Sequence, residues 1–312
     1  MNWAQKTGFL FLTLNFVFCV SDFSEEPSVD SDNDVVIPTA SGYLRGVRIP
    51  TKSGFLVDYF KGVPFAEKPI RLRKSQLVHR WNSVYNAQEY PPKCIPVSRP
   101  SNDSEYSEDC LYMNILKPSG LNTINKLPVV VFIHGGGFQE GDGNDASCEA
   151  FAENFVSKGM VVITIQYRLA MLGFLSLGCT DPLIPCNLGL WDMVTAFQFI
   201  NKTISDFNGD INNMTLMGHS AGSMAVSLHS ISPISSIYFK KFIQMSGSSW
   251  SLTRYKTQNV QVTKQILHDL NCNISSSKQI FECVSSVSLD SMYSAQIGGP
   301  GNLLYFMKRF PD

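Results

Sequence analysis

The sequence has no excess of charge of either sign, because its 312 residues carry 25 Lys and Arg against 26 Asp and Glu. Proteins that bind nucleic acid or a polyanionic surface carry a basic excess, so we expect no nucleic-acid partner. Internal repeats are also lacking, which argues against solenoid and propeller architectures. What is abundant is apolar side chains, at 44% of the chain, enough for a large core in one large domain or two small ones.

Hydrophobic runs long enough to span a membrane are also lacking. The apolar run Gly8 to Val20 follows Lys6 in a short polar start, and Ser21 offers a small residue for cleavage. This run is too short for a bilayer and predicts a signal peptide over residues 1–21, with a buried N-terminal helix as the alternative. Residues 22–34 are acidic and Ser-rich and predict a flexible leader, so the ordered region is expected from residue 35 to residue 312.

A signal peptide implies that the protein is secreted or resides in the lumen of the secretory pathway. That compartment favours disulfides and glycosylation of Asn-x-Ser/Thr sequons. Asn213 opens a predicted strand and is expected to stay unmodified. The candidate glycosylation sites are Asn102, Asn201 and Asn273.

Apolar runs alternate with helical patterns through the middle of the chain. The runs are apolar on both faces, as buried parallel strands are, and the helices show apolar spacings of three and four residues. This alternation predicts an α/β fold, a mostly parallel sheet with helices on both faces. The predicted strands are 129–133, 160–167, 214–217 and 242–245, the helices are 150–156, 190–200 and 221–229, and antiparallel edge strands are expected at 42–46 and 55–65.

A G-x-S-x-G motif, Gly218-His219-Ser220-Ala221-Gly222, lies between the third of these strands and a helix. In this setting it predicts a nucleophile elbow, a sharp turn that exposes one serine. Gly218 and Gly222 are expected because a side chain at either position would clash within so tight a turn. The motif alone is weak evidence, since a surface turn can carry it by chance.

A second motif, His134-Gly135-Gly136-Gly137, follows the first predicted strand. A serine nucleophile needs a base and needs hydrogen-bond donors for the developing oxyanion. We predict Ser220 as the nucleophile and the backbone amides of Gly136, Gly137 and Ala221 as the oxyanion donors. The combination of the two motifs is far more specific than either, although a flexible glycine loop is the alternative for the second.

Four further segments carry a family resemblance that extends from about residue 35 to the C-terminus. The chain resembles the type-B carboxylesterases, the cholinesterase-like serine hydrolases of the α/β-hydrolase fold. It is similar to their N-terminal part only, so the C-terminal strands of the sheet are expected to be missing. The segments are E-D-C-L-Y-M-N at 108–114, F-K-G-V-P-F-A at 60–66, Q-Y-R at 166–168 and Q-M-S-G-S at 244–248.

The resemblance implies disulfides Cys94–Cys110 and Cys272–Cys283, and it implies no cofactor and no metal. Cys179 and Cys186 flank one loop and either pair or remain thiols, as Cys148 does. Structural ion pairs are implied between Arg71 and Glu108 and between Arg168 and Asp192. The segment after residue 66 is shortened by about three residues relative to the family pattern.

The family orders its catalytic triad as serine, acid and histidine. After Ser220 the only histidines are His229 and His268, and no Asp or Glu lies between Ser220 and His268. We interpret both histidines as packing or surface residues, His134 as structural, and His219 as pointing away from the serine. This chain is therefore expected to lack the triad acid and base, to be inactive by itself, and to expose one sheet edge.

The predicted function is that of a carboxylic ester hydrolase by family, with a small carboxylic ester as substrate. A cholinesterase is an alternative, but the 94–110 loop lacks the tryptophan that would bind choline through cation–π contacts. A catalytically dead adhesion or binding protein is another. Such relatives usually lose the serine, which this chain keeps.

Overall fold

The computed structural model describes residues 33–120, 125–144, 148–179 and 181–297. The predicted signal peptide and nearly all of the predicted leader lie outside these ranges. The first strand begins at Asp34, one residue before the predicted start of order.

Eleven strands occur among the described residues. Most follow runs of β-branched and aromatic side chains, which favour extended backbone. They are β1 (Asp34–Thr39), β2 (Gly42–Pro50), β3 (Leu56–Pro64), β4 (Tyr85–Asn86), β5 (Lys93–Cys94), β6 (Tyr106–Ser107), β7 (Tyr112–Pro118), β8 (Leu127–Ile133), β9 (Val161–Ile165), β10 (Gly209–His219) and β11 (Lys241–Met245).

The helices in the same ranges cover the strands or form a separate layer. None of these described helices is long and apolar enough to cross a membrane. They are α1 (Cys148–Asn154), α2 (Ala170–Phe174), α3 (Leu188–Thr203), α4 (Ala221–Ile231), α5 (Lys256–Asp269), α6 (Ser277–Ser286) and α7 (Leu289–Ile297).

Nine of the strands form one mixed sheet in the order β1-β2-β3-β7-β9-β8-β10-β11, with β4 beside β2. The predicted α/β fold is confirmed, but the sheet is less parallel than expected. Pairing is antiparallel from β1 to β9 and parallel from β9 through β8 and β10 to β11. The carboxyl ends of the parallel strands therefore meet at one edge, where sites in open α/β sheets form.

Helices pack on both faces of the sheet because side chains alternate along each strand. On β8, Val129, Val131 and Ile133 join the core under α3 and α4. Val130 faces the other way and joins a smaller core with Phe151 of α1. A third apolar cluster forms among α2, α5, α6 and α7.

The position of β11 differs from the sequence expectation. Its apolar residues suggested a strand buried on both faces, but Phe242 is 53% exposed and Ile243 is 42% exposed. β11 is the last strand of the sheet, and within the described residues no strand pairs with its outer side. Both faces of β11 are therefore largely exposed among the described residues, and an exposed edge was expected from the family resemblance.

Among the described residues, three disulfides link cysteines close together in sequence. Cys94–Cys110 and Cys272–Cys283 are the two pairs that the resemblance implies, and Cys179–Cys186 joins the pair that the sequence left open. Cys148 is a free thiol whose Sγ lies 2.7 Å from the hydroxyl of Tyr59.

Candidate active site

Ser220 occupies the sharp turn between β10 and α4. Its backbone has φ 52° and ψ −119°, a conformation that non-glycine residues rarely adopt and that costs about 1–3 kcal/mol. The strain is held by hydrogen bonds on both sides of the residue. The Ser220 N–H donates to the carbonyl of Met245 on β11 at 2.8 Å, and the Ser220 carbonyl accepts from the N–H of Met224 at 3.0 Å.

Gly218 and Gly222 lie where no side chain fits. A Cβ at Gly218 would lie 2.3 Å from the Gly222 carbonyl oxygen, inside the turn as the sequence predicted. A Cβ at Gly222 would lie 2.1 Å from the carbonyl oxygen of Ile133, at the end of β8. The second glycine is therefore required by contact with a neighbouring strand, which lets α4 begin directly against β8.

The glycine-rich turn lies directly against Ser220. A Cβ at Gly135 would lie 3.1 Å from the Ser220 Cβ and 2.9 Å from the His219 carbonyl oxygen. Gly136 and Gly137 follow with φ of 100° and 63°, values that favour glycine. The two sequence motifs thus meet at one corner, because β8 and β10 are parallel neighbours and both end there.

Among the described residues, no turn or loop hydrogen bond is donated by the backbone N–H of Gly136, Gly137 or Ala221. Ala221 is the first residue of α4, where an N–H has no intrahelical acceptor and the helix dipole favours negative charge. The carbonyl of Gly136 accepts from the N–H groups of Gln139 and Glu140 at 2.9 and 3.1 Å, which fixes the direction of the turn. Such an arrangement suits an anion placed between the turn and the helix.

His134 fixes the base of the turn. Its ring is buried and stacks on Tyr167 with 4.3 Å between ring centroids, and its Nδ1 lies 2.8 Å from the carbonyl oxygen of Gly135. Burial lowers the pKa of His134 to about 4, so at neutral pH the ring is neutral and Nδ1–H donates to that carbonyl. The hydroxyl of Tyr167 donates to the His134 carbonyl at 3.0 Å.

Sequence reasoning missed two residues that support this turn, Tyr167 and Gly141. A Cβ at Gly141 would lie 2.9 Å from His134 Nδ1 and 2.8 Å from the Gly135 carbonyl oxygen. The sequence did contain a signal for Gly141, because it is a fourth glycine only four residues after Gly137. Tyr167 was noted as part of a family motif, but its stacking on His134 depends on a contact between two strands.

No residue that the structure describes forms a hydrogen bond with the Ser220 hydroxyl. His229 is a buried residue of α4, with Nδ1 2.9 Å from the Ser235 hydroxyl and Nε2 3.3 Å from the Met193 sulfur. His268 is exposed and contacts Asp269 at 3.2 Å. His219 is exposed beside the serine, and its Nδ1 would lie 3.3 Å from a Cβ at Gly135.

The two ion pairs implied by the resemblance both form. Arg168 binds the two carboxylate oxygens of Asp192 at 2.7 Å each, and both side chains are buried. Arg71 binds Glu108 through two hydrogen bonds at 2.7 and 2.5 Å and also donates to the carbonyl of Val287 on the adjoining helical layer. The segment before Arg71 is predicted from the resemblance to be shortened, and the Arg71–Glu108 pair forms in this structure.

A strained serine between a parallel strand and a helix, faced by a glycine-rich turn from the neighbouring strand, defines the chain as an α/β-hydrolase. A family model described as "Carboxylesterase family" matches residues 33–308 of the chain. This chain is a member of that carboxylesterase family.

Proteins with similar sequences support this assignment. Gut esterase 1 of Caenorhabditis elegans is 35% identical over 265 residues, which are 83% of this chain and 45% of the relative. Bile salt-activated lipase of Bos taurus is 32% identical over 256 residues, 79% of this chain and 42% of the lipase. The solved structure of juvenile hormone esterase from Manduca sexta matches with a TM-score of 0.74 and 30% identity, covering 84% of this chain and 51% of that one. The chain thus spans about half the length of these relatives.

Proposed function

We propose that this chain carries the nucleophile and oxyanion donors of a carboxylic ester hydrolase that works through an acyl-serine intermediate. The observation that carries the proposal is the contact between the two motifs, with Gly135 against the strained Ser220. Family membership supports the reaction class. The structural relative is described with a ligand covalently attached, which fits a family of nucleophilic hydrolases.

In the proposed reaction the Ser220 hydroxyl oxygen attacks the ester carbonyl carbon, and the hydroxyl proton passes to a base. The carbonyl oxygen becomes an oxyanion, which the N–H groups of Gly136, Gly137 and Ala221 stabilise. The alcohol then leaves with a proton, and water releases the acid from the acyl-serine by the reverse sequence. Loss of one such donor typically costs about 3 kcal/mol of transition-state stabilisation.

We infer that the described residues do not supply the base, since none of their histidines forms a hydrogen bond with the Ser220 hydroxyl. His134 and His229 are buried and already hydrogen-bonded, and His268 lies on α5 with Asp269 as its neighbour. We therefore propose that the described part of the chain turns esters over weakly when it acts alone. Its amides still stabilise an oxyanion, since residual catalysis of about 10³–10⁴ over water can persist without a triad.

Imidazole rescue tests this proposal on the whole chain. The chain and its Ser220→Ala variant are incubated with a fluorophosphonate probe and with p-nitrophenyl acetate, with and without free imidazole. We expect slow labelling of Ser220 that rises several-fold with imidazole, after subtraction of the Ser220→Ala signal. Fast labelling without imidazole would show that a base is present, and no labelling in either condition would contradict a competent nucleophile.

The absence of a described base also favours a second function, binding without turnover. A protein of this kind would bind an ester in the same corner but would give no acyl-serine with any probe. Intact-mass measurement after fluorophosphonate treatment separates the two functions, because only a reactive serine gains the mass of the probe.

We also propose that the protein follows the secretory route. Support comes from the apolar run before residue 21 and from three disulfides, which oxidising compartments favour. The three candidate sequon asparagines are exposed: Asn102, Asn201 and Asn273. In eukaryotic expression we expect secreted protein whose mass falls on treatment with peptide N-glycosidase, and no fall in a variant with all three asparagines changed to Gln.

A further inference from the structure

A large open cavity lies between the segment 67–76, the segment 181–191 and Phe281 of α6. Its volume is about 1140 Å³, above the range of about 300–1,000 Å³ that is usual for small-molecule sites. Neither the glycine-rich turn nor the serine elbow contributes to its lining. The cavity is therefore a concave surface that the proposed ester chemistry does not use.

Cations outnumber carboxylates in the lining, with Lys68, Arg73 and Lys74 against Glu67 and Asp181. The carboxylates are bound locally. Glu67 accepts from the backbone N–H of His79 at 2.7 Å, and Asp181 accepts from the N–H of Leu183 at 2.7 Å and from the Ser277 hydroxyl. Neither carboxylate forms a salt bridge with a lysine of the cavity within the described residues.

The two lysines are available to a ligand. Lys68 is exposed and, within the described part of the chain, contacts no acidic side chain. Lys74 is also exposed, and its ammonium lies 3.2 Å from the centroid of the Trp191 ring, a cation–π contact. Partial desolvation lowers the pKa of Lys74, and a bound anion would raise it again.

The apolar part of the lining is accessible but not suited to aromatic stacking. Arg73 lies 3.9 Å from the centroid of the Phe281 ring and Lys74 covers Trp191, so a cation occupies one face of each ring. Ile70 lines the same cavity and is 62% exposed, an unusual exposure for a large apolar side chain. A flexible alkyl chain can follow such a surface more easily than a flat ring.

We propose that this cavity binds an amphipathic monocarboxylate of the fatty-acid type. The carboxylate contacts the ammonium groups of Lys68 and Lys74, and the alkyl chain lies on Ile70, Trp191 and Phe281. The proposal is independent of the proposed ester hydrolysis, since it uses no residue of the serine site.

Titration calorimetry with decanoate, below its micelle concentration, tests the site on the whole chain. Acetate supplies the head group without the chain, and decyltrimethylammonium supplies the chain with the opposite charge. We expect saturable binding of decanoate at least about tenfold tighter than either control, equivalent to about 1.4 kcal/mol. Failure of decanoate to bind, or equal binding of decyltrimethylammonium, would overturn the proposal.

Variants then locate the binding. The double variant Lys68→Met/Lys74→Met should weaken decanoate binding about tenfold or more, since each charge-assisted contact is lost. The matched control is Lys202→Met/Lys264→Met, which removes two exposed lysines outside the cavity and should leave the affinity unchanged. Ser220→Ala should also leave it unchanged. Wild-type affinity in the first variant, or weakened binding in Ser220→Ala, would place the ligand elsewhere.

Discussion

The serine corner and the neighbouring strand β11 lie side by side but differ in how tightly they are packed. At the corner, backbone atoms of Ile133 and Gly222 leave no room for a single added carbon atom. On β11, large apolar side chains such as Phe242 are half exposed. Parallel pairing of β10 with β11 and the hydrogen bond from the Ser220 N–H to the Met245 carbonyl connect the two regions. The backbone at the corner is thus closely packed and hydrogen-bonded to its neighbours, whereas the side chains of β11 are largely exposed.

The strongest test of the comparison is Gly222→Ala. Because the new Cβ would lie 2.1 Å from the Ile133 carbonyl oxygen, β8 and α4 must separate, and we expect a loss of about 3 kcal/mol or more of unfolding free energy. Gly54→Ala is the matched control, since it places a Cβ in open space at φ 82° and should cost only about 1 kcal/mol of backbone strain. Urea unfolding measures both, and equal losses would refute the packing argument.

A pH titration compares the serine corner with the core covered by α4. Each region contains one buried histidine, His134 at the corner and His229 on α4. Burial lowers the pKa of His134 and of His229 to about 4. A histidine in the unfolded chain binds its proton near pH 6.5, whereas these two bind it only near pH 4. The unfolding free energy is therefore highest above pH 6.5 and falls as the pH drops toward 4. Each histidine contributes about 3 kcal/mol to this fall at most.

His229→Gln should remove about half of that pH dependence, and urea unfolding at pH 7.5, 5.5 and 4.5 measures it. His79→Gln is the control for loss of a histidine, because His79 is exposed. If His229→Gln kept the full decline between pH 6.5 and 4.5, the neutral buried state of His229 would be wrong.

The smallest effect on stability is expected at β11 itself. Phe242→Lys removes exposed apolar surface from an edge strand, and we expect unfolding free energy to change by less than about 0.5 kcal/mol. The same change should reduce self-association, measured by light scattering after size exclusion, since lysine on a strand edge opposes pairing between sheets. A large loss of stability would mean that Phe242 is packed and that the contrast with the corner is false.

Sequence reasoning predicted best where the determinants are local. The elbow and the glycine-rich turn are each specified within five residues, and the helical spacing at 190–200 marks α3 to within three residues at either end. The need for Gly222 was predicted but attributed to the turn alone, whereas the structure adds the contact with β8. That contact depends on strand order, which no local pattern contains.

Contacts between distant elements could not be predicted in the same way. β7 at 112–118 was noted only as part of a family motif, because its buried Asn114 interrupts the apolar run. That side chain accepts from the Gly62 N–H at 3.0 Å and donates to Thr164 at 3.1 Å, so a polar residue is satisfied inside the sheet. The exposure of β11 likewise depends on which strands lie beside it.

The free thiol of Cys148 has a consequence for how the chain acquires its cross-links. Desolvation raises the pKa of this thiol, and the hydroxyls of Tyr59 and Tyr90 lie 2.7 and 3.5 Å from its sulfur. Only the thiolate attacks a disulfide, so a thiol kept protonated is a poor nucleophile for exchange. Once the region around Cys148 has folded, this thiol is a poor nucleophile, so it does not reshuffle the three disulfides of the described residues.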